Sequence, residues 1–280
     1  MKADLHIHTR ESDGCLTVED VLITASECDI DLLAITDHET TSGVEKAKKL
    51  AFVYGINIIP GVEFNTIYQK EEIHLLGYYK DINSDILQER LCQIRQERTN
   101  ITRCMVEKLK QQGLVLEWDK VRETASKESV ICKTHIMYAI WNGAYGLDGV
   151  NWNTIASWFR PGGIAYIPYE GNPYKEAVDF IFNTGGLPVL AHPGLIRNKS
   201  IIKDLLAYKP IGLEVYYGYW DRIKDTIDYF EVLSQRGAIL STGGSDYHGF
   251  YSPVGIGQVL VPDKCVEDLK DYLQIEIKKG

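Results

Sequence analysis

Short apolar runs alternate with amphipathic stretches along this chain, and that alternation restricts its fold more than any other feature. Ala3–His8, Asp31–Thr36, Ile56–Val62 and Ile73–Tyr79 read as strands, and between them Thr17–Cys28 and Gly43–Tyr54 carry helical spacing. Thr17 followed by Asp20, and Ser42 followed by Glu45, are helix-start patterns. After residue 165 the alternation resumes with helix Tyr174–Thr184, strand Leu187–Ala191, helix Ile201–Ala207 and strand Gly212–Tyr217. Helix Arg222–Arg236, strand Ala238–Thr242 and a closing helix Val266–Glu276 complete it. The order predicts seven principal strands in a mainly parallel sheet with helical crossovers.

The break in the alternation spans 81–165 and reads as helical. Asp85–Gln112, Glu117–Ser126, Lys133–Trp141 and Trp152–Phe159 have helical spacing, Asn142–Gly149 reads as a loop, and Pro161-Gly162-Gly163 as a stop. This segment holds 11 basic and 10 acidic residues, whereas the whole chain of 280 residues carries a formal charge of −9. Such acidity excludes a broad electrostatic surface for long nucleic acid and leaves room for a small or end-bound anion. No run of apolar residues is long enough to cross a membrane, and MKADLHIHT lacks the apolar core of a secretion signal. Cys15, Cys28, Cys92, Cys104, Cys132 and Cys265 form no C-x-x-C pair. A cytoplasmic chain with reduced thiols is therefore expected.

Six of the seven histidines lie in or just after a predicted strand; only His135 falls in the helical segment. His6 and His8 are two apart on a strand, so their rings share a face. Asp13 follows in S-D-G, His38 in T-D-H, Glu63 in P-G-V-E, His74 in I-H-L-L, His192 in A-H-P-G, and Asp246 and His248 in D-Y-H. These nine nitrogen and oxygen donors exceed what one divalent ion takes and suit two or three ions bridged by a carboxylate. A G-x-S-x-G nucleophile motif and a phosphate-cradling glycine loop are both missing from the sequence.

Taken together, D-L-H-I-H-T, S-D-G, T-D-H-E-T, P-G-V-E, H-L-L-G-Y, A-H-P-G and G-S-D-Y-H resemble the polymerase and histidinol phosphatase (PHP) domain, in its stand-alone phosphoesterase form within the amidohydrolase superfamily. The resemblance covers residues 1–80 and about 185–250. It implies a distorted (β/α)₇ TIM-like barrel over 1–80 and 166–280, with 81–165 as a helical insertion capping the substrate. It also implies a trinuclear centre of manganese, zinc or iron. His6, His8, Glu63 and Asp246 would hold the first ion, Asp13, His38 and His248 the second, and Glu63, His74 and His192 the third. Asp4 and Asp37 would orient ligand imidazoles from behind. Lys133 and His135 in K-T-H, with Arg197 and Arg160, would contact substrate phosphate. Lysine replaces a more usual arginine there and lacks its bidentate fork. Glu39 and Asn65 also depart from the family pattern, at positions that are not ligands.

The implied activity is hydrolysis of a phosphate ester by metal-bound hydroxide. Nucleotide bisphosphates, short oligonucleotide 5′ ends and cyclic phosphates are the implied substrates. A noncatalytic metal-binding module, or a hydrolase acting on a carbon centre, is the competing expectation. The aromatic residues Tyr138, Trp141, Tyr145, Trp152 and Trp158 are expected chiefly to pack the insertion.

Overall fold

The computed structural model describes residues 1–276 except 128, 144–149, 220–221 and 238. Its seven strands are β1 (Ala3–Ile7), β2 (Leu32–Ile35), β3 (Asn57–Tyr68), β4 (Glu71–Tyr79), β5 (Gly186–Leu190), β6 (Gly212–Tyr217) and β7 (Ser241–Gly244), neighbours in that order. The ends meet: Ile7 bridges Tyr247, Asp246 N–H donates to the His6 carbonyl at 2.8 Å, and His8 N–H to the Tyr247 carbonyl at 3.0 Å. The sheet therefore wraps into a nearly closed barrel, the expected α/β architecture.

Helices α1 (Val18–Glu27), α2 (Ser42–Leu50), α7 (Tyr174–Asn183), α8 (Ile202–Tyr208) and α9 (Ile223–Gly237) follow or precede the strands. Thr17 caps α1 by a reciprocal pair with Asp20, as the sequence predicted. For α2, Thr41 rather than Ser42 is the residue before the helix, and it makes no side-chain cap. α10 (Asp263–Leu273) places Val266, Leu269 and Leu273 in one apolar cluster with Ala3, Leu5, Leu32, Ile59, Leu76 and Leu187. Each fully buried leucine, isoleucine or valine of this cluster contributes about 1.5–3 kcal/mol.

Two corrections concern β3 and β4. The expected strands stopped at Val62 and started at Ile73, but both run on into a hairpin joined by Gln69-Lys70, with φ of +50° and +66°. Positive φ at both turn residues matches the twist of the flanking strands, and two residues suffice to reverse the chain. β4 is thus antiparallel to both β3 and β5, while the other pairs are parallel. The seventh strand is also displaced, to Ser241–Gly244, and Ala238 lies outside the described residues.

The segment after β4 folds as α3 (Asp85–Gln111), α4 (Trp118–Arg122), α5 (Lys133–Gly143) and α6 (Trp152–Ser157). Leu87, Leu91 and Ile94 of α3 join the barrel's outer cluster, whereas Met105, Val106 and Leu109 join a separate cluster with Val121, Ile136, Ile140, Ile155 and Phe159. One long helix therefore starts on the barrel and ends in the insertion's own core. Most of the loop expected at Asn142–Gly149, with Tyr145, lies outside the described residues.

Candidate active site

The site begins with an irregularity in β1. Asp4 pairs with Leu33 and Ile7 with Ile35, so β1 spends one residue more than β2 over this stretch. Such a bulge resets side-chain alternation. Ala3 and Leu5 belong to the barrel interior and Ile7 to the outer cluster, yet both His6 and His8 end up inside the mouth.

There, four atoms face one another. His6 Nε2 lies 3.2 Å from His8 Nε2, 3.2 Å from Asp246 Oδ1 and 3.4 Å from Glu63 Oε2. His8 Nε2 lies 3.1 Å from Glu63 Oε2 and 3.2 Å from Asp246 Oδ1. Around Asp13, Oδ1 is 3.4 Å from His248 Nε2 and 3.8 Å from His8 Nδ1. His74 Nδ1 and His192 Nε2 converge on Glu63 Oε1 at 3.0 and 3.2 Å, and His38 Nδ1 lies 3.4 Å from Oε2.

Among the described residues, three sets of donor atoms are close enough to share an ion: His6, His8, Glu63 and Asp246; His8, Asp13, His38 and His248; and His38, Glu63 and His74. The structure thus brings all nine expected donors together, with His8, His38 and Glu63 each standing in two groups and His192 joining through Glu63.

Five buried polar atoms here have no hydrogen-bond partner: His8 Nδ1, Asp13 Oδ1, His38 Nδ1, Glu63 Oε2 and Asp246 Oδ1. Leaving such groups unpaired is costly, and cations would satisfy them. This donor set fits divalent metal ions. Burial works against ionisation of Asp13, Glu63 and Asp246, yet the surrounding imidazoles outweigh it and hold all three carboxyls well below the usual range. Burial likewise opposes charge on His8 and His74, but the carboxylates push them up to about 10 and about 9. The chain's own charges therefore make this a negative nest that protons or cations must balance. His192 and Asp246 adopt positive φ, +27° and +50°, a strained backbone of the sort that clusters at functional sites.

The expected supporting residues behave differently. Asp4 accepts backbone N–H groups of Ser245 at 2.9 Å and Gly257 at 3.0 Å, and Asp37 accepts Thr9 N–H at 2.7 Å and Ser12 O–H at 2.6 Å. Neither reaches a ligand ring: short side chains beside polar loops satisfy backbone donors first. The residue behind His6 is Glu214 of β6, 2.9 Å from Nδ1, which the sequence reading missed. Its only signal was a lone charge in the apolar run G-L-E-V-Y.

Above the donors lies a cavity of about 360 Å³ between the barrel mouth and the insertion. Lys133 and Arg160 line it, with Thr134, Met137, Trp152, Tyr217 and Tyr251. Two expected phosphate contacts fall elsewhere. His135 is buried, with Nδ1 accepting Cys132 N–H at 3.1 Å at the start of α5, because its ring turns back to cap its own helix. Arg197 does not line the cavity; it points to solvent, 3.8 Å from Glu71. The middle residue of K-T-H reaches the centre instead, Thr134 Oγ1 donating to Asp13 Oδ2 at 2.9 Å. Trp152 stacks on Tyr251 at the cavity wall rather than only packing the insertion.

A PHP domain model matches residues 4–135. The 5′-3′ exoribonuclease Rnm of Escherichia coli is 32% identical over 250 residues, spanning 88% of this chain and 84% of that protein. The chain belongs to the PHP domain family. Other PHP relatives are a 3′,5′-nucleoside bisphosphate phosphatase of Chromobacterium violaceum, 30% identical over 88% of this chain and 86% of its own, and a phosphoribosyl 1,2-cyclic phosphate 1,2-diphosphodiesterase of Eggerthella lenta, 29% identical over 91% and 97%. Among solved structures, a protein from Bifidobacterium adolescentis described as a metal-dependent phosphoesterase aligns with a TM-score of 0.85 at 26% identity, covering 96% of each chain. An amidohydrolase from Chromobacterium violaceum with bound sulfate and no metal aligns equally, TM-score 0.85 at 26% identity over 97% of each. The chain is a PHP-type, metal-dependent phosphoric ester hydrolase. Among the described residues, no helix is long and apolar enough to cross a membrane.

Proposed function

We propose that this PHP enzyme removes or cleaves a phosphate ester at the end of a nucleotide-like substrate, with the nine converging donors holding two or three divalent ions. The observation that carries this reading is the position of the five unpartnered donor atoms, which lie beneath a cavity walled by Arg160, Lys133 and the Trp152–Tyr251 stack. When bound, divalent cations lower the pKa of coordinated water and draw charge from phosphoryl oxygens. Trp152, Ala156 and Arg160 follow helical spacing along α6 and past its end, so one face carries both an aromatic ring and a cation into the cavity. A base would lie against Trp152 and Tyr251 while Arg160 and Lys133 offset phosphate charge. Tyr217 O–H donates to Asp246 Oδ2 at 3.1 Å and fixes the carboxylate that faces both His6 and His8. A space of about 360 Å³ admits a nucleotide end and excludes a duplex. The named relatives, acting on bisphosphates, RNA ends and a cyclic phosphate, support the same substrate range.

The test is a panel of nucleoside 3′,5′-bisphosphates, short 5′-phosphorylated RNAs and ribose cyclic phosphates, assayed with protein loaded in turn with Mn²⁺, Zn²⁺ and Fe²⁺. Turnover of a nucleotide member, abolished by Asp246→Asn and by His8→Ala, is expected. Equal turnover by these variants would overturn the proposed centre.

A further inference from the structure

On β4, Glu72 and His74 share a face, two residues apart. Glu72 Oε1 lies 3.1 Å from His74 Nε2, and the same oxygen accepts from Asn65 Nδ2, which is paired with His74 across the hairpin. Both carboxylate oxygens lie 3.3 Å from Lys133 Nζ, at the first residue of α5. The other nitrogen of His74, Nδ1, faces Glu63 Oε1 at 3.0 Å. The imidazole is strung between a carboxylate inside the donor cluster and a carboxylate outside it.

We infer that Glu72 is a positioning residue that serves the metal centre and the substrate contact together. By accepting the Nε2 proton it fixes His74 in the tautomer whose Nδ1 lone pair points at Glu63, the form in which a neutral imidazole binds a cation. By pairing with Lys133 it occupies that ammonium until a phosphate arrives. The second role rests on the function proposed above. The two halves of the bracket differ in burial. The His74 side chain is 20% exposed, whereas Lys133 and Glu72 are 39% and 41% exposed, so their pair is open to solvent and exchangeable. A phosphoryl group carries more charge than a carboxylate and takes Lys133 from it. Glu72 then keeps His74 and Asn65, and the imidazole stays in place while the cation of the insertion turns to the substrate. The hairpin strand and the insertion are thereby linked through one side chain.

The experiment reads metal content and anion binding without turnover. Protein saturated with Mn²⁺ and passed through a desalting column is analysed for metal equivalents, and inorganic phosphate is titrated calorimetrically. Glu72→Ala should lose one equivalent of metal or bind its weakest ion roughly 10–100-fold less tightly. Glu72→Gln keeps an acceptor for Nε2–H but drops the charge, so metal content should return to wild type and phosphate should bind severalfold more tightly. Lys133→Met should retain the metal and weaken phosphate. Thermal unfolding of the isosteric Gln variant verifies folding. Full metal content in Glu72→Ala together with unchanged phosphate affinity in Glu72→Gln would overturn the inference. Loss of metal in Glu72→Ala from a protein that hydrolyses no phosphate ester would instead overturn the proposed function and leave the His74 role standing.

Discussion

One carboxylate holds two donor histidines, one by its ring and one by its backbone: Glu214 Oε1 lies 2.9 Å from His6 Nδ1, and its Oε2 accepts the backbone N–H of His192 at 2.7 Å. Glu214 is fully buried in mid-strand, where an isolated charge is expensive. Its cost is offset because it aims His6 Nε2 at Asp246 and holds the turn on which His192 rides. Glu214→Gln should weaken metal binding by roughly 10–100-fold, measured by competition with a coloured chelator. Wild-type affinity in the folded variant would show that His6 needs no brace.

A second buried charge pair ties the insertion to the barrel. Arg98 of α3 bonds the Glu39 carboxylate after β2, and Asn65 N–H donates to the same side chain at 2.6 Å. Arg98→Met strands Glu39 without its cation and should destabilise the fold by about 3–5 kcal/mol. The double variant Arg98→Met/Glu39→Gln should recover much of the loss. Urea unfolding of the set checks this; an additive double variant would mean the two groups are uncoupled.

The aromatic wall makes a prediction about substrate choice. Trp152 and Tyr251 stack with centroids 4.7 Å apart at the cavity edge. Trp152→Ala should lower kcat/KM for a nucleotide substrate by the equivalent of about 1–3 kcal/mol and leave a simple phenyl phosphate nearly untouched. Comparing the two substrates on one preparation separates base recognition from damage to the centre; equal losses on both would refute it.

His135 gives a pH signature in stability. Burial pushes its pKa down from 6.5 to about 4, so the folded chain keeps the ring neutral. The unfolded chain binds a proton near pH 6.5 and the folded one does not until about pH 4. This stabilisation is therefore complete above pH 6.5 and drains away as pH falls toward 4, on the order of 3 kcal/mol in all. Denaturant unfolding from pH 7 to 4 should show a shallower decline in His135→Gln than in wild type. Parallel curves would contradict it.

How much of this was readable from sequence depends on whether the information is local. The nine donors were legible because each sits in a short motif and strand ends gather at one rim. Element positions followed from apolar spacing. The direction of β4 was not, since alternation has period two either way along a strand. The short connection Gln69-Lys70 held the clue, but neither residue is a usual choice for a turn with positive φ. Partners were the least legible. Asp4 and Asp37 stand beside histidines in sequence and bind backbone in space, while Glu214 is 208 positions from the ring it holds. The family resemblance implied a phosphate contact at His135 alongside Lys133, but the two-residue step between their positions in α5 is about half a turn of helix, and His135 lies on the buried side.

The extra residue in β1 means that the centre is encoded in parity as much as in chemistry. It lets Leu5 and His6, neighbours in the chain, both face inward, so that Leu5 closes the apolar interior and His6 opens the donor cluster while Ile7 packs outside. Strict alternation carried on from Ala3 and Leu5 would instead turn Ile7 inward and carry both imidazoles to the helix side. Which side of the strand the two donors occupy is therefore set by where the bulge falls, and not by the H-x-H spacing alone.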